Sequence, residues 1–152
     1  MLSLPKNILV PVDFGPHSEA ALDYAASLGE PLGSTIHALH VYEIPTLLLP
    51  DAPWVISADL VTSIEKASKV AMANLIERRK KTGLTIHGHV KCGDPRTAIE
   101  AAAEELHIDL ICMGTHGRRG LSRALLGSVA EFVVRTSKVP ILTVHAHETA
   151  AA

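Results

Sequence analysis

The sequence predicts an α/β fold in which one doubly wound sheet of five parallel strands carries helices on both faces. Five short apolar runs alternate with four longer segments of helical character, and this alternation is typical of a single parallel sheet. The first and fourth runs, residues 7–13 and 109–114, are almost wholly apolar. Strands that are buried on both faces have this composition, so these two are predicted to be the central strands.

The first half of the chain contains two of the strands and two of the helices. A helix after the first strand is predicted to begin at Pro16 and to end at Gly29, because proline suits the first helical turn and glycine suits a helix end. Residues 34–42 form the second strand, and the proline-containing residues 43–53 form a loop. Residues 54–81 are predicted to be a helix whose basic end complements the helix dipole rather than binding nucleic acid.

The second half continues the alternation. Residues 84–90 alternate between apolar and polar side chains, which predicts a half-exposed strand near an edge of the sheet. The next helix is predicted to have Asp94 as its N-cap and Pro95 as its first residue. A further helix, starting at Ser128, follows the fourth strand and carries an apolar stripe.

The last strand is predicted at residues 139–145, and a frayed tail at 147–152. No internal repeat or linker interrupts the pattern. Residues 1–146 are therefore expected to form a single domain, for which 152 residues provide enough apolar surface to build a core.

Composition argues against several classes of function. The chain has 14 Lys and Arg against 16 Asp and Glu, a net charge of −2, and only 3% aromatic residues, so neither charge nor base stacking favours a nucleic-acid partner. No apolar run approaches the ~20 residues that span a bilayer, and the first residues lack a signal-peptide pattern. A cytoplasmic protein with reduced Cys92 and Cys112 is expected.

The nine histidines raise the question of a metal site. His87 and His89 share one face of their predicted strand, because side chains alternate along a strand. A structural zinc site normally has four ligands, often including cysteine, and neither Cys92 nor Cys112 lies close in sequence to a helical histidine pair. No native metal site is expected.

A candidate site follows from the topology. Ligands of doubly wound sheets bind at the carboxyl ends of strands, where the strand order reverses, and the two central strands end at Asp13 and Gly114. The stretch after the fourth strand, GTHGRRGLSRALLGS (114–128), lacks the Gly-Lys-Ser/Thr of a P-loop and the spacing of a dinucleotide fingerprint. Its glycines nevertheless permit close approach of the backbone to a ligand, and Gly127-Ser128 opens a helix whose free N–H groups favour an anion.

The spacing G-2x-G-9x-G-[ST] at Gly114, Gly117 and Gly127-Ser128 resembles the signature of the nucleotide-binding branch of the universal stress protein family. ILVPVDFGPHSEAAL, GDPRTAI and DLICMGTHGRRGLSRALLGSVAEFVVRTSKVPILTV are also similar to that family. The resemblance implies a Rossmann-like fold related to the adenine nucleotide alpha hydrolases and a homodimer formed through residues 139–145. It also implies that ATP, AMP or another adenine nucleotide is bound. Because triphosphates normally carry Mg²⁺, this ion is expected to be held through the phosphates, without a dedicated cage of protein carboxylates.

The resemblance also assigns roles to eleven positions. Pro11, Val12 and Asp13 would line the nucleoside pocket, Val41 would meet the adenine edge with its backbone, and Met113 would pack on the base. Towards the phosphates, the residues implied are Gly114 at the ribose, His116 and Gly117 beside the triphosphate, and Gly127, Ser128 and Val129 around the phosphate groups.

Several of these residues have alternative interpretations. Asp13 could instead cap the first helix. Ser128 and Glu131 have the spacing of a capping box, and Glu131 could then close an empty site and yield to a phosphate. Arg118, Arg119 and Arg123 could pair with phosphates or be solvated. 

Three functions stay open at this point. The first is a binding protein, not an enzyme, that acts as an ATP-dependent regulator or sensor of the stress response. The second is a slow ATPase that uses the 114–128 stretch. The third is a dimeric stress protein that binds no nucleotide.

Overall fold

Five parallel strands form one sheet in the order β3-β2-β1-β4-β5. The computed structural model describes residues 3–44, 57–116 and 126–146. Within these ranges the elements are β1 (Asn7–Pro11), α1 (Pro16–Leu32), β2 (Thr35–Tyr42), α2 (Ala58–Glu77), β3 (Thr85–Cys92), α3 (Pro95–Glu105), β4 (Leu110–Gly114), α4 (Ser128–Thr136) and β5 (Ile141–Val144). The predicted fold class and order of elements are confirmed.

β1 lies at the centre of the sheet, as its composition predicts, and β4 lies beside it. Ile8, Leu9 and Val10 have no exposed surface. Because side chains alternate along a strand, Ile8 and Val10 pack into the core layer of α1 and α2, while Leu9 packs into the layer of α3 and α4. The helices therefore cover both faces, and the strand order reverses between β1 and β4.

β3 is an edge strand, as its alternating pattern predicts. Gly88 faces α2 at very short range: a Cβ atom there would lie 2.6 Å from Ile76 Cδ1 and 2.6 Å from Met72 Cγ. The glycine therefore permits the edge strand and α2 to pack closely.

The predicted end of α1 at Gly29 is wrong. The helix continues to Leu32 and ends at Gly33, whose φ of 65° is left-handed and whose N–H bonds to Glu30 O. Gly29 is buried within the helix, where a Cβ would lie 2.9 Å from Ile36 Cδ1. Gly29 is therefore a glycine because the helix packs closely against β2, and Gly33 is a glycine because the helix ends there in a left-handed conformation.

α2 is shorter than residues 54–81. It begins after Ser57, whose side chain accepts from Leu60 N at 3.2 Å, and it ends at Glu77. The basic residues follow the helix instead of filling its last turn. Arg79 reaches back to α1, with Nε 2.7 Å from Asp23 Oδ1 and Nη2 2.9 Å from Glu19 Oε2.

The other boundaries agree closely with the predictions. Asp94 caps α3 by accepting from Arg96 N at 2.9 Å, and Pro95 is its first residue. Most of the predicted loop 43–53 and the tail 147–152 lie outside the described residues. No helix in the described ranges has both the length and the apolar character needed to cross a membrane.

Candidate functional site

A cavity of about 370 Å³ opens at the carboxyl ends of the central strands. It lies where the β1–α1 turn, the end of β4 and the first residues of α3 and α4 meet. Its volume falls within the range of small-molecule sites. The lining residues are Pro11, Val12, Asp13, Ser18, Leu39, Val41, Pro95, Ile99, Met113, Gly114, Thr115, His116, Gly127, Ser128, Val129 and Ala130.

Ten of the eleven residues that the family resemblance implies line this cavity: Pro11, Val12, Asp13, Val41, Met113, Gly114, His116, Gly127, Ser128 and Val129. The eleventh, Gly117, lies outside the described residues, as do Arg118, Arg119 and Arg123. The fold thus brings together residues from three strands or strand ends, β1, β2 and β4, and from the start of α4. The individual role of each residue remains a prediction.

Asp13 organises the turn between β1 and α1. One carboxylate oxygen, Oδ1, accepts from Gly15 N at 2.9 Å and from Ser18 Oγ at 2.8 Å. Gly15, not Asp13, occupies the N-cap position of α1. Asp13 therefore braces the turn in front of the helix and also lines the cavity, so the capping and ligand interpretations do not exclude one another.

His40 supports the same turn from β2. Its Nδ1 lies 2.8 Å from Val12 O, and its ring centroid lies 4.4 Å from that of Phe14. Because a carbonyl only accepts, Nδ1 carries the proton in this contact. Phe14 has a φ of 61°, a conformation that non-glycine residues seldom adopt. The His40 contacts hold this unfavourable turn in place.

Thr115 joins the two ends of the 114–128 stretch. Its carbonyl accepts from Gly127 N at 2.7 Å, and its own N–H lies 3.3 Å from Val144 O. The intervening residues 117–125 lie outside the described ranges. This contact places the start of α4 directly beside the end of β4.

Gly114 has a packing reason that the motif does not reveal. A Cβ there would lie 2.9 Å from both the carbonyl carbon and the carbonyl oxygen of His17 in α1. The expectation that this glycine serves close approach of a ligand is therefore incomplete, since the backbone of α1 already requires it.

The predicted capping box at α4 is wrong. Gly127 is the N-cap and Ser128 is the first helical residue, so Glu131 lies one position too far along to reach back in a box. Its carboxylate instead pairs with Arg135 Nη2 at 2.9 Å. No side chain in the described part of the chain caps α4, and its first residues, Ser128, Val129 and Ala130, line the cavity. The proposed closing role of Glu131 thus loses its structural basis.

His116 lines the cavity, and it lies close to two histidines that are not part of the lining, His17 and His145. Its Nδ1 lies 2.9 Å from Thr115 Oγ1, which also lies 3.1 Å from His145 Nδ1. Its ring centroid lies 5.2 Å from that of His17. His116 Nε2 and His17 Nδ1 are buried and have no hydrogen-bond partner among the described residues.

Six lining residues were not identified from the sequence: Ser18, Leu39, Pro95, Ile99, Thr115 and Ala130. Thr115 and Ala130 adjoin residues of the motif, so their neighbours could have indicated them. Ser18 lies five residues after Asp13, on the first turn of a predicted helix. Pro95 and Ile99 come from α3, and no local pattern indicates that this helix reaches the site.

The cavity combines apolar walls with a polar end. Leu39, Val41, Ile99 and Met113 provide apolar surface, whereas Asp13, Ser18 and Ser128 provide hydrogen-bonding groups. The uncapped start of α4 adds the positive end of a helix dipole. This arrangement suits a ligand with a flat apolar ring and an anionic group.

Comparison with known proteins gives a consistent result. The sequence model of the universal stress protein family matches residues 5–145. Universal stress protein MJ0531 of Methanocaldococcus jannaschii is 31% identical over 93% of this chain and 83% of its own length. Universal stress protein A homolog 1 of Coxiella burnetii is 31% identical over 91% of this chain and 95% of its own length.

Solved structures share the fold. Protein MJ0577 of Methanocaldococcus jannaschii superposes with a TM-score of 0.73 at 26% identity, covering 95% of this chain and 98% of that one. A universal stress protein described as a complex with cAMP gives a TM-score of 0.71 at 23% identity, covering 95% of this chain and 100% of that one. A family member from Arabidopsis thaliana with AMP bound gives 0.64 at 16% identity, covering 97% of each chain.

Proposed function

The chain belongs to the universal stress protein family, and within that family we propose that it binds an adenine nucleotide, ATP in the first instance, and acts as a regulator or sensor in a stress response. The observation that supports this most strongly is the cavity beside the uncapped start of α4, which is lined by ten of the residues that the family resemblance implies for nucleotide binding. The proposal is a binding function rather than catalysis.

The chemistry of the lining assigns each part of the nucleotide to a region. Met113 and Val41 would hold the adenine, with Ile99 behind it, because the flat base gains from apolar contact. Asp13 would accept a hydrogen bond from the ribose or the base. The phosphates would lie at Gly127 and Ser128. The Gly127 N–H already donates to Thr115 O, so the N–H groups in the first turn of α4, from Ser128 onwards, would donate to the phosphates.

Two of the similar solved structures are complexes with adenine nucleotides, one with cAMP and the other with AMP. Their likeness to this chain supports the same class of ligand here. Mg²⁺ would be held through the phosphate oxygens, since triphosphates normally carry this ion.

Purified protein that is extracted with acid should release an adenine nucleotide detectable by mass spectrometry. The melting temperature should also rise with ATP–Mg, because a ligand that binds only the folded state stabilises it. Gly127→Leu should abolish this rise in melting temperature, because the leucine side chain would enter the region proposed for the phosphates. The backbone itself accommodates leucine, since Gly127 has a φ of −60°. Glu131→Gln is the matched control in the same helix turn, since Glu131 pairs with Arg135 outside the cavity lining.

Three results would count against the proposal. If no nucleotide is released and ATP–Mg gives no thermal shift, the chain is better described as a stress protein that binds no nucleotide. If the shift persists in Gly127→Leu, the nucleotide binds elsewhere. If phosphate release from ATP proceeds in multiple turnovers, the slow ATPase replaces the binding protein.

The homodimer is also a proposal. β5 lies at the edge of the sheet and its residues Ile141–Val144 are only half-buried in the single chain. An unpaired edge strand with apolar side chains favours pairing with a second copy. Sedimentation equilibrium should give twice the mass of 16.2 kDa; a single-chain mass at micromolar concentration would contradict it.

A further inference from the structure

Three histidines lie on one face of the β2–β3 pair. His37 of β2 is the register partner of His87, and His89 is the register partner of Leu39, two residues further along. Because residues at i and i+2 share a face and directly paired residues lie side by side, the three imidazoles form one group. None of them lines the nucleotide cavity.

The imidazoles are already close together. His37 Nδ1 lies 3.1 Å from His89 Nε2. The ring centroid of His37 lies 5.3 Å from that of His89 and 5.6 Å from that of His87. Two zinc-bound nitrogens, each about 2.0–2.1 Å from the ion, are separated by a little more than 3 Å in a tetrahedral site. The His37–His89 spacing is therefore close to that of two ligands of one ion.

Burial and neighbouring charges affect two of the three imidazoles. Burial lowers the pKa of His37 below its usual value, and neighbouring His89 and His87 lower it further. Burial likewise lowers the pKa of His89, with help from His87 and Lys91. Lys91 Nζ is paired with Glu105, which reduces its repulsion of a cation.

We propose that His37, His87 and His89 bind one divalent transition-metal ion, with Zn²⁺ as the best match and water in the fourth position. Two histidines on one strand and a third on its neighbour supply three nitrogen ligands, a set that leaves one coordination position open. This site is separate from the nucleotide cavity, so the proposal does not depend on the proposed function. A bound ion would cross-link the edge strand β3 to β2, because its ligands come from both strands.

Binding requires a small rearrangement. Among residues 3–44, 57–116 and 126–146, no group of three such side chains already converges on a single point. In the metal-free arrangement one ring of the His37–His89 pair donates to the other. The donor would move that proton to its other ring nitrogen, which frees a lone pair without net proton release. His87, which is exposed, would rotate to supply the third nitrogen.

The test uses full-length protein without a histidine tag. Titration with Co²⁺, a spectroscopic substitute for Zn²⁺, should give the intense visible absorption of a tetrahedral site at one equivalent per chain. Zn²⁺ should displace Co²⁺ and raise the melting temperature. His87→Asn and His89→Asn should each weaken Co²⁺ binding by about tenfold or more, and combined they should abolish the tetrahedral spectrum.

His107→Asn is the control, because His107 is an exposed histidine with a φ of 49°, a conformation that asparagine tolerates. It should leave Co²⁺ binding unchanged. His87 is exposed, so its variant should fold normally, which circular dichroism would verify. Unchanged Co²⁺ binding in the double variant, an octahedral spectrum only, or no uptake of Co²⁺ by the wild type would overturn the proposal.

Discussion

Ser18 shows how much of the candidate site depends on one small side chain. Its hydroxyl donates to Asp13 Oδ1 at 2.8 Å and accepts from Asp13 N at 3.1 Å, and the residue is 5% exposed. A single buried serine thus fixes both the backbone and the carboxylate of the residue that is expected to meet the nucleoside. Asp13 was identified from its place at the end of the first strand and from the family resemblance, but the serine that supports it was not.

Ser18→Ala should lower the free energy of unfolding by about 1–2 kcal/mol, because buried partners lose a hydrogen bond. It should also weaken ATP binding, since the Asp13 carboxylate loses the Ser18 hydroxyl as a fixed donor. Urea unfolding and calorimetry would measure the two effects. Ser27→Ala is the matched control: this serine is in the same helix, and its hydroxyl bonds only to Asp23 O at an exposed site. Equal effects in the two variants would contradict the prediction.

Gly114→Ala should lower the free energy of unfolding by roughly 1–3 kcal/mol, the usual cost of overpacking. The new methyl group would lie 2.9 Å from two backbone atoms of His17, and α1 cannot yield as a side chain can. Urea unfolding followed by circular dichroism would measure the change. A stability equal to that of the wild type would show that the approach of α1 does not determine this residue.

At the scale of elements, α1 illustrates why boundaries are harder to predict than existence. Gly29 and Gly33 both lie near the end of the apolar pattern, and each could stop a helix on local grounds. The structure separates them: Gly29 meets Ile36 of β2, whereas Gly33 takes the left-handed conformation. Only the distance between the helix and the strand distinguishes a packing glycine from a terminating one.

Gly33→Ala should lower the free energy of unfolding by about 1 kcal/mol, since a Cβ there meets nothing within 4 Å and only the left-handed backbone is penalised. Gly33→Asn should cost less, because asparagine tolerates this conformation. Urea midpoints for the wild type and both variants would measure this. If asparagine costs as much as alanine, the backbone explanation fails.

At the scale of the whole molecule, one arginine connects the two helices that cover the same face of the sheet. The Arg79 side chain is 14% exposed and bonds to Glu19 and Asp23 of α1 as well as to Leu75 O. Both carboxylates are more exposed than the arginine, at 31% and 62%. Solvent therefore screens the attraction between the guanidinium and the two carboxylates. The geometry of the hydrogen bonds contributes more to stability than the charge does.

Arg79→Lys should lower the free energy of unfolding by up to about 1 kcal/mol, because lysine keeps the charge but cannot donate to both carboxylates in a fork. Arg79→Met should lower the free energy of unfolding by a similar amount. This loss should be smaller at high salt, because salt already screens the attraction between Arg79 and the two carboxylates in the wild type. Urea unfolding at low and high ionic strength would test this. A lysine variant as stable as the wild type would assign the contribution to charge alone.

The order of strands and helices along the chain, the central position of β1 and β4 and the location of the cavity were predictable from the sequence. They follow from local periodicity, from the place of ligand sites in doubly wound sheets and from a motif of fixed spacing. The capping box at Ser128 was not correctly predicted, since a shift of one residue at the helix start removes it. The contribution of α3 to the cavity was also missed, because it depends on how a helix distant in sequence crosses the sheet.

By itself, the sequence determined the α/β class, because neighbouring residues encode strand and helix patterns directly. The glycine motif and the stretches around it also carried the resemblance to the universal stress protein family, and that resemblance implied ten of the residues that line the cavity. Tertiary structure alone decided that Gly114 meets α1, that Arg79 joins two helices and that His37 stands beside His87 and His89. These contacts join residues far apart along the chain. They depend on strand register and on the distance between packed elements, neither of which a local pattern contains.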